Sequence, residues 1–398
     1  MKKEKLNTYI SDTRFPFCTD DSMDEYYNNI FSSIKNILSN FSNITPPVYL
    51  VYSLYRQSEI ISIDNELSII YDRYLGETLH QMTKIFMSPQ EELKATAFSC
   101  KLLTEALRRN GMLKKALPSA YLTQRLLKEI YADDSKNKFH ISLKYFEIDD
   151  LRKHKRKNNE INIFECDLLT IRQITAISEV FVIFHEISHF LFKKNMINDF
   201  IKQNLDECEQ SLNHSSTMIQ HLISNVQKST KKVFESDDFR VNLLEEMLCD
   251  KLAIEFTFAS ARNNYTADNI VLSILLCSLH LRWLKQIDSI ANCDDGSNQF
   301  YDSTIRGYWL RDLLSHELEK NKMISHLIYK SSPIVEQYQY VFLSRSSTIL
   351  KILNNKELID ESNLMFGEYF NSDMISASVI IDSLIGWNTY DGNISKSK

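Results

Sequence analysis

The chain has 398 residues, 43% hydrophobic and 25% charged, with a formal net charge of −6. These are ordinary values for a globular protein with room for a large core, and they exclude both a low-complexity chain and the global basic field of a nucleic-acid binder. Only 7 Gly and 6 Pro occur, so tight turns are few and long helices are favoured over many short strands.

Residues 1–135 read as a helical region, with helices over Ser22–Phe41, Ser62–Met87, Gln90–Asn110 and Met112–Tyr131. Breaks fall at Pro46-Pro47, Ser88-Pro89 and Gly111, and Pro118 is a kink site inside the last helix. The pattern then changes. Phe139–Phe146 and Ile161–Cys166 alternate apolar and polar positions, which predicts two strands. The loop between them carries Arg152-Lys-His-Lys-Arg-Lys157. A run of this kind is ordinarily a solvated hairpin tip; the other reading is a docking patch for an acidic partner, and it is the sequence's one hint of nucleic acid.

A long helix is predicted from about Ile171 to Met196, opened by the capping box Thr170-Ile-Arg-Gln173. It contains His185-Glu186-Ile187-Ser188-His189. Histidines four apart project from one helix face and can hold one Zn²⁺, and the glutamate between them can take a proton from a metal-activated water. A catalytic zinc site needs a further protein ligand. The best source is the next apolar-patterned helix, from Ser236 or Asp237 to about Ala261, which carries Glu245-Glu246-Met-Leu-Cys-Asp250-Lys-Leu-Ala253. Glu246 is the chosen third ligand and Glu245 its competitor. Asp250 shares a face with Glu246 and is placed to accept the N–H of a liganding histidine. Cys249 reads as a small core residue. The intervening Asp199–Asp238, with His214 and His221, reads as a polar helical excursion or lid, and residues 263–398 return to helical patterning with Trp283, Trp309 and Trp387 as core anchors.

HEISH followed by a helical E-x-x-x-D-x-x-A is similar to the gluzincin metallopeptidases, over roughly Lys138 to Ala261. The resemblance implies a predominantly α (α+β) chain. Its zincin-like catalytic core, with a small antiparallel sheet, would span 136–262, between helical regions at 1–135 and 263–398. It implies Zn²⁺ on His185, His189 and Glu246, with Glu186 as general base. An edge strand before the metal helix would hold an extended substrate, and Ile161, Ile163 and Glu165 are the candidates for it. An oxyanion donor is expected downstream, among Tyr301, Arg306, Tyr308 and Arg311.

The expected function is a zinc-dependent endopeptidase acting on a specific intracellular protein or peptide. The alternative is a zincin-scaffold binding or regulatory protein without proteolysis. Repressor-cleaving regulators and phage-exclusion peptidases are loose analogies for the first reading, and a stress or phage-defence response for the second. Seven cysteines without CxxC pairs suit a reducing compartment. The basic start Met1-Lys-Lys-Glu-Lys5 is not followed by a signal-like apolar stretch, and no run of 18 apolar residues occurs, so a cytoplasmic protein with no membrane partner is expected.

Overall fold

The computed structural model describes residues 8–9, 17–19, 25–39, 47–53, 55–63, 66–87, 92–132, 168–223, 237–292, 297–338, 341–342 and 354–370. It is mostly helical with one small sheet. In chain order the elements are β1 (Phe17–Thr19), α1 (Glu25–Leu38), β2 (Val48–Ser53), β3 (Glu59–Ile63), β4 (Glu66–Asp72) and α2 (Arg73–Met87). Next come α3 (Glu92–Arg109), α4 (Leu113–Ala132), α5 (Leu168–Lys193), α6 (Asn198–Ile223) and α7 (Asp237–Ala261). The last are α8 (Ala267–Asn292), α9 (Ser297–Lys320), a 3₁₀ turn (Ile328–Lys330), α10 (Ser331–Tyr338) and α11 (Lys356–Phe370).

The chain divides into two compact units, one of residues 1–83, 166–282 and 296–335, the other of 84–165, 283–295 and 336–398. This differs from three consecutive regions bounded at 135 and 262. The N-terminal segment belongs with the segment that carries α5 because its sheet packs on that helix.

That sheet corrects the helical reading of the N-terminal region. Its strand order is β1-β2-β4-β3, with β2 parallel to β4 and the other pairs antiparallel, so it is a mixed sheet. The segment expected as one helix from Ser62 holds strand at Ser62–Ile63 and again at Glu66–Asp72, and α2 starts only at Arg73. Ile60, Ile61, Ile63, Ile69 and Ile70 are β-branched, and Ile63 pairs with Glu66 across Asp64-Asn65, a dipeptide of turn-forming types. Central β4 is buried on both faces: Ile70 packs with Val51 and Ile61, while Ile69 and Tyr71 point the other way. Asp72 ends the strand and caps α2, accepting from Tyr74 N at 3.0 Å and from Ser53 N and Arg56 N at 3.1 Å each. The strands expected at 139–146 and 161–166, and the basic loop 152–157, lie outside the described residues.

In the first unit, α5 buries Ile174, Ile177, Phe181, Phe184, Ile187 and Leu191 along one stripe. Its buried hydroxyls are satisfied by back-bonding: Thr175, Ser178 and Ser188 each donate to the carbonyl four residues earlier. The helix closes on Asn195 at φ 56°, with Met196 N bonded to Leu191 O and Asn195 N to Phe192 O, a Schellman ending. α7 lies against α5 over fully buried Ala253, with Phe184 and Phe256 rings 5.2 Å apart. α9 in turn packs on α7, where Trp309 Nε1 donates to Met247 O at 3.0 Å. α5 and α8 are long and apolar enough to cross a membrane by composition, yet 72% and 61% of their apolar windows are buried inside the fold.

In the second unit, α3 turns into α4 through Gly111 at φ 70°, where a left-handed residue closes the α3 C-terminus. α4 continues through Pro118. Ser119 Oγ donates to Cys100 O at 2.9 Å, and Arg125 pairs with Glu361 at 2.8 Å to tie α4 to α11. Trp283 is fully buried beside Phe342 in this unit, and Trp309 is a core anchor of the first. Trp387 lies outside the described residues.

Candidate metal centre

Two helices of the first unit build the site, each with residues spaced four apart. On α5, His185 and His189 lie one turn apart with their rings edge to face and their Nε2 atoms 3.2 Å apart. On α7, one pair at the same spacing is Glu246 and Asp250, and the adjacent pair is Glu245 and Cys249. The carboxylate of Glu246 faces both rings, with Oε2 3.3 Å from His185 Nε2 and Oε1 3.4 Å from His189 Nε2. These three residues form the group whose ligand atoms all lie within 4.8 Å of one another among the described residues.

The edges of that triangle can be compared with what an ion requires. Tetrahedral Zn²⁺ with bonds of about 2.0–2.1 Å to nitrogen and oxygen separates its ligand atoms by about 3.3 Å. The observed 3.2–3.4 Å suits one face of such a tetrahedron. Two imidazole nitrogens and a carboxylate are also a common donor set for a divalent transition ion. The residues fit a metal.

Carboxylates stand behind both rings. Asp250 Oδ1 lies 3.0 Å from His185 Nδ1, an approach off-line for a strict hydrogen bond, so charge carries the contact. Glu245 Oε1 lies 2.8 Å from His189 Nδ1, and Cys249 Sγ is 3.4 Å from the same nitrogen. A carboxylate on Nδ1 keeps the proton there and leaves the Nε2 lone pair for a cation. Glu245, expected as a rival ligand, therefore stands on the far side of His189. Cys249 is core-buried but also touches that ring.

The third helix contributes Arg306. Its Nε and Nη2 meet the two oxygens of Asp250 at 2.8 Å each, and its Nη1 meets Glu246 Oε2 at 2.8 Å. Arg306, one of the expected oxyanion donors, has both edges of its guanidinium engaged by carboxylates. Tyr308 and Arg311 are exposed on α9, and the side chain of Tyr301 lies outside the described set. Ile161, Ile163 and Glu165 are also outside it. Of the histidines between the metal helices, His214 is exposed on α6 and the side chain of His221 is not described.

The electrostatics are those of a cation site. Burial alone would lower the histidine pKa values, but Asp250 and Glu246 raise His185 to about 10, and Cys249, Glu245 and Glu246 raise His189 to about 11. Burial pushes Glu246 and Asp250 up, yet Arg306 and the histidines outweigh it and hold both below the ordinary carboxylate range. Glu186 behaves oppositely. Burial raises its pKa, both histidines lower it, and Glu246 and Glu59 raise it further. Glu59 opens β3, the terminal strand of the described sheet order, and β3 packs against α5.

Sequence reasoning missed the parts played by Glu245, Arg306 and Glu59. Glu245 was legible in principle, because it stands four residues before Cys249 just as Glu246 stands before Asp250. Comparison with protein-family models, curated proteins and solved structures finds no match for this chain.

Proposed function

We propose that this chain is a zinc-dependent endopeptidase acting on a specific protein or peptide. The observation that supports it best is the His185–His189–Glu246 triangle with sides of 3.2–3.4 Å, backed by a carboxylate on each Nδ1. His185, His189 and Glu246 would hold the ion. When bound, it supplies Lewis acidity toward a water and toward the scissile carbonyl.

The remaining work falls to the protein. Glu186, with its proton affinity raised by burial, is the general base that takes the attacking water's proton and delivers it to the leaving amine. Asp250 and Glu245 fix the two rings. A carboxylate between two imidazoles is the residue set an HExxH peptidase requires, which is why hydrolysis is preferred over a passive scaffold. β3 adjoins α5, so its backbone is a second candidate, beside Ile161–Cys166, for aligning an extended peptide by strand addition.

The test is exposure of a cell lysate to the chain and to Glu186→Gln, followed by profiling of new protein N-termini. New termini produced by the first and not by the second support the peptidase. Termini absent from both favour a scaffold that binds without cutting. We place the protein in the cytoplasm, with no membrane or nucleic-acid partner.

A further inference from the structure

Arg306 closes a ring of contacts. It meets Asp250 with two nitrogens and Glu246 with a third, Asp250 meets His185 Nδ1, and Glu246 meets His185 Nε2. One side chain on α9 thus joins the metal-facing carboxylate to the group that orients a metal-facing ring. We propose that Arg306 is the positioning residue of the metal centre, its planar fork holding Glu246 and Asp250 in the geometry that a divalent ion needs. The proposal rests on the metal reading above.

Two effects of Arg306 oppose each other. As a cation next to a ligand carboxylate it repels a divalent ion, so deleting its charge would tighten binding. As a fork it fixes Glu246, whose side chain is 34% exposed. It also holds Asp250, which is 1% exposed, in place behind His185 through two contacts of 2.8 Å. Without the fork, two neighbouring carboxylates lose their shared counter-ion and repel each other. The ligand then leaves the triangle and the ring loses its fixed tautomer. Outer contacts of this kind are worth about 10–100-fold in metal affinity, and we assign the larger effect to positioning. Arg and Lys differ here, because an ammonium is a point donor and cannot span both carboxylates.

The experiment measures the Zn²⁺ dissociation constant of the full chain by competition with a chromophoric chelator, for the native sequence, Arg306→Gln and Arg306→Lys. Circular dichroism of the metal-free proteins reports folding. Both variants are expected to bind Zn²⁺ about 10–100-fold more weakly, although one loses the charge and the other keeps it. The Co²⁺-substituted proteins should also show altered visible spectra, because the ligand geometry changes. A shift smaller than about 10-fold, or tighter binding, in either folded variant overturns the proposal. Arg306→Lys keeps a counter-charge for buried Asp250, so it decides the matter if Arg306→Gln does not fold. Failure of the native chain to bind Zn²⁺ would overturn the metal reading itself, a result distinct from native binding with indifferent variants.

Discussion

Glu245 Oε1 lies 2.8 Å from Nδ1 of His189, on the side of the ring opposite the Nε2 that faces Glu246. Two adjacent glutamates on α7 therefore grip the same imidazole from its two nitrogens, and under the proposed metal reading they do different work. Glu246→Ala removes a ligand and should abolish tight metal binding. Glu245→Ala removes an orienting contact and should weaken it by about 10–100-fold. Zinc titration against a competing chelator checks both. Equal losses would mean that the two residues share one role.

Glu186→Gln keeps the shape of the side chain and removes its basicity. Its zinc affinity should stay close to that of the native chain, while turnover of a cleaved substrate falls by about 10²–10⁴-fold. Retention of full turnover would remove Glu186 as the base.

A buried cluster on the same metal helix predicts a stability effect. Glu179 Oε1 accepts hydrogen bonds from Tyr27 Oη at 2.9 Å and Tyr71 Oη at 2.8 Å, and Tyr26 Oη bonds its other oxygen. Gly76 leaves the space: a Cβ there would lie 2.1 Å from Glu179 Oε1. That carboxylate is tied by three hydroxyls and cannot yield cheaply, so Gly76→Ala should destabilise the fold by about 1–3 kcal/mol. Tyr71→Phe, which strips one donor from a buried carboxylate, should cost about 1–3 kcal/mol. Urea unfolding measures both, and native-like midpoints would show that the cluster is slack.

His280 predicts a pH dependence away from the metal. Its ring is fully buried, 3.1 Å from Thr83 Oγ1, and burial holds its pKa at about 3. The unfolded chain takes up a proton near the ordinary value of about 6.5, so between those values the unfolded state binds more protons. The stability owed to the neutral ring is present above about pH 6.5 and is lost as pH falls toward 3. His280→Gln should flatten that decline by up to about 1.4 kcal/mol per pH unit. Urea unfolding at pH 7, 6, 5 and 4 provides the comparison, and parallel profiles for the two proteins would contradict it.

How much of this was legible in the sequence depends on whether the signal was local. Histidines four apart on a helix, and Glu246 four before Asp250, define faces that any helical reading exposes. The structure brings those faces together by packing α7 on α5, where the Phe184 and Phe256 rings lie 5.2 Å apart. The strand residues within 62–72 are read as helix from sequence because a short apolar run suits either period, whereas the pairing of β4 with β2 lies outside any local window. The engagement of Arg306 was invisible for a related reason. It sits 56 residues from Asp250 in the chain, and only the packing of α9 on α7 shows that its fork is held by two carboxylates. Glu245 and Glu246, adjacent in sequence, could be told apart only once the rotation of α7 against α5 was known.

The most direct measurement is the metal content of the purified chain by elemental analysis, beside His185→Ala. The account predicts one zinc per native chain, removed by a strong chelator with a fall in melting temperature, and little or none in the variant. A well-folded native chain that takes up no zinc from a saturating solution, or a His185→Ala chain that holds it equally well, would contradict the account.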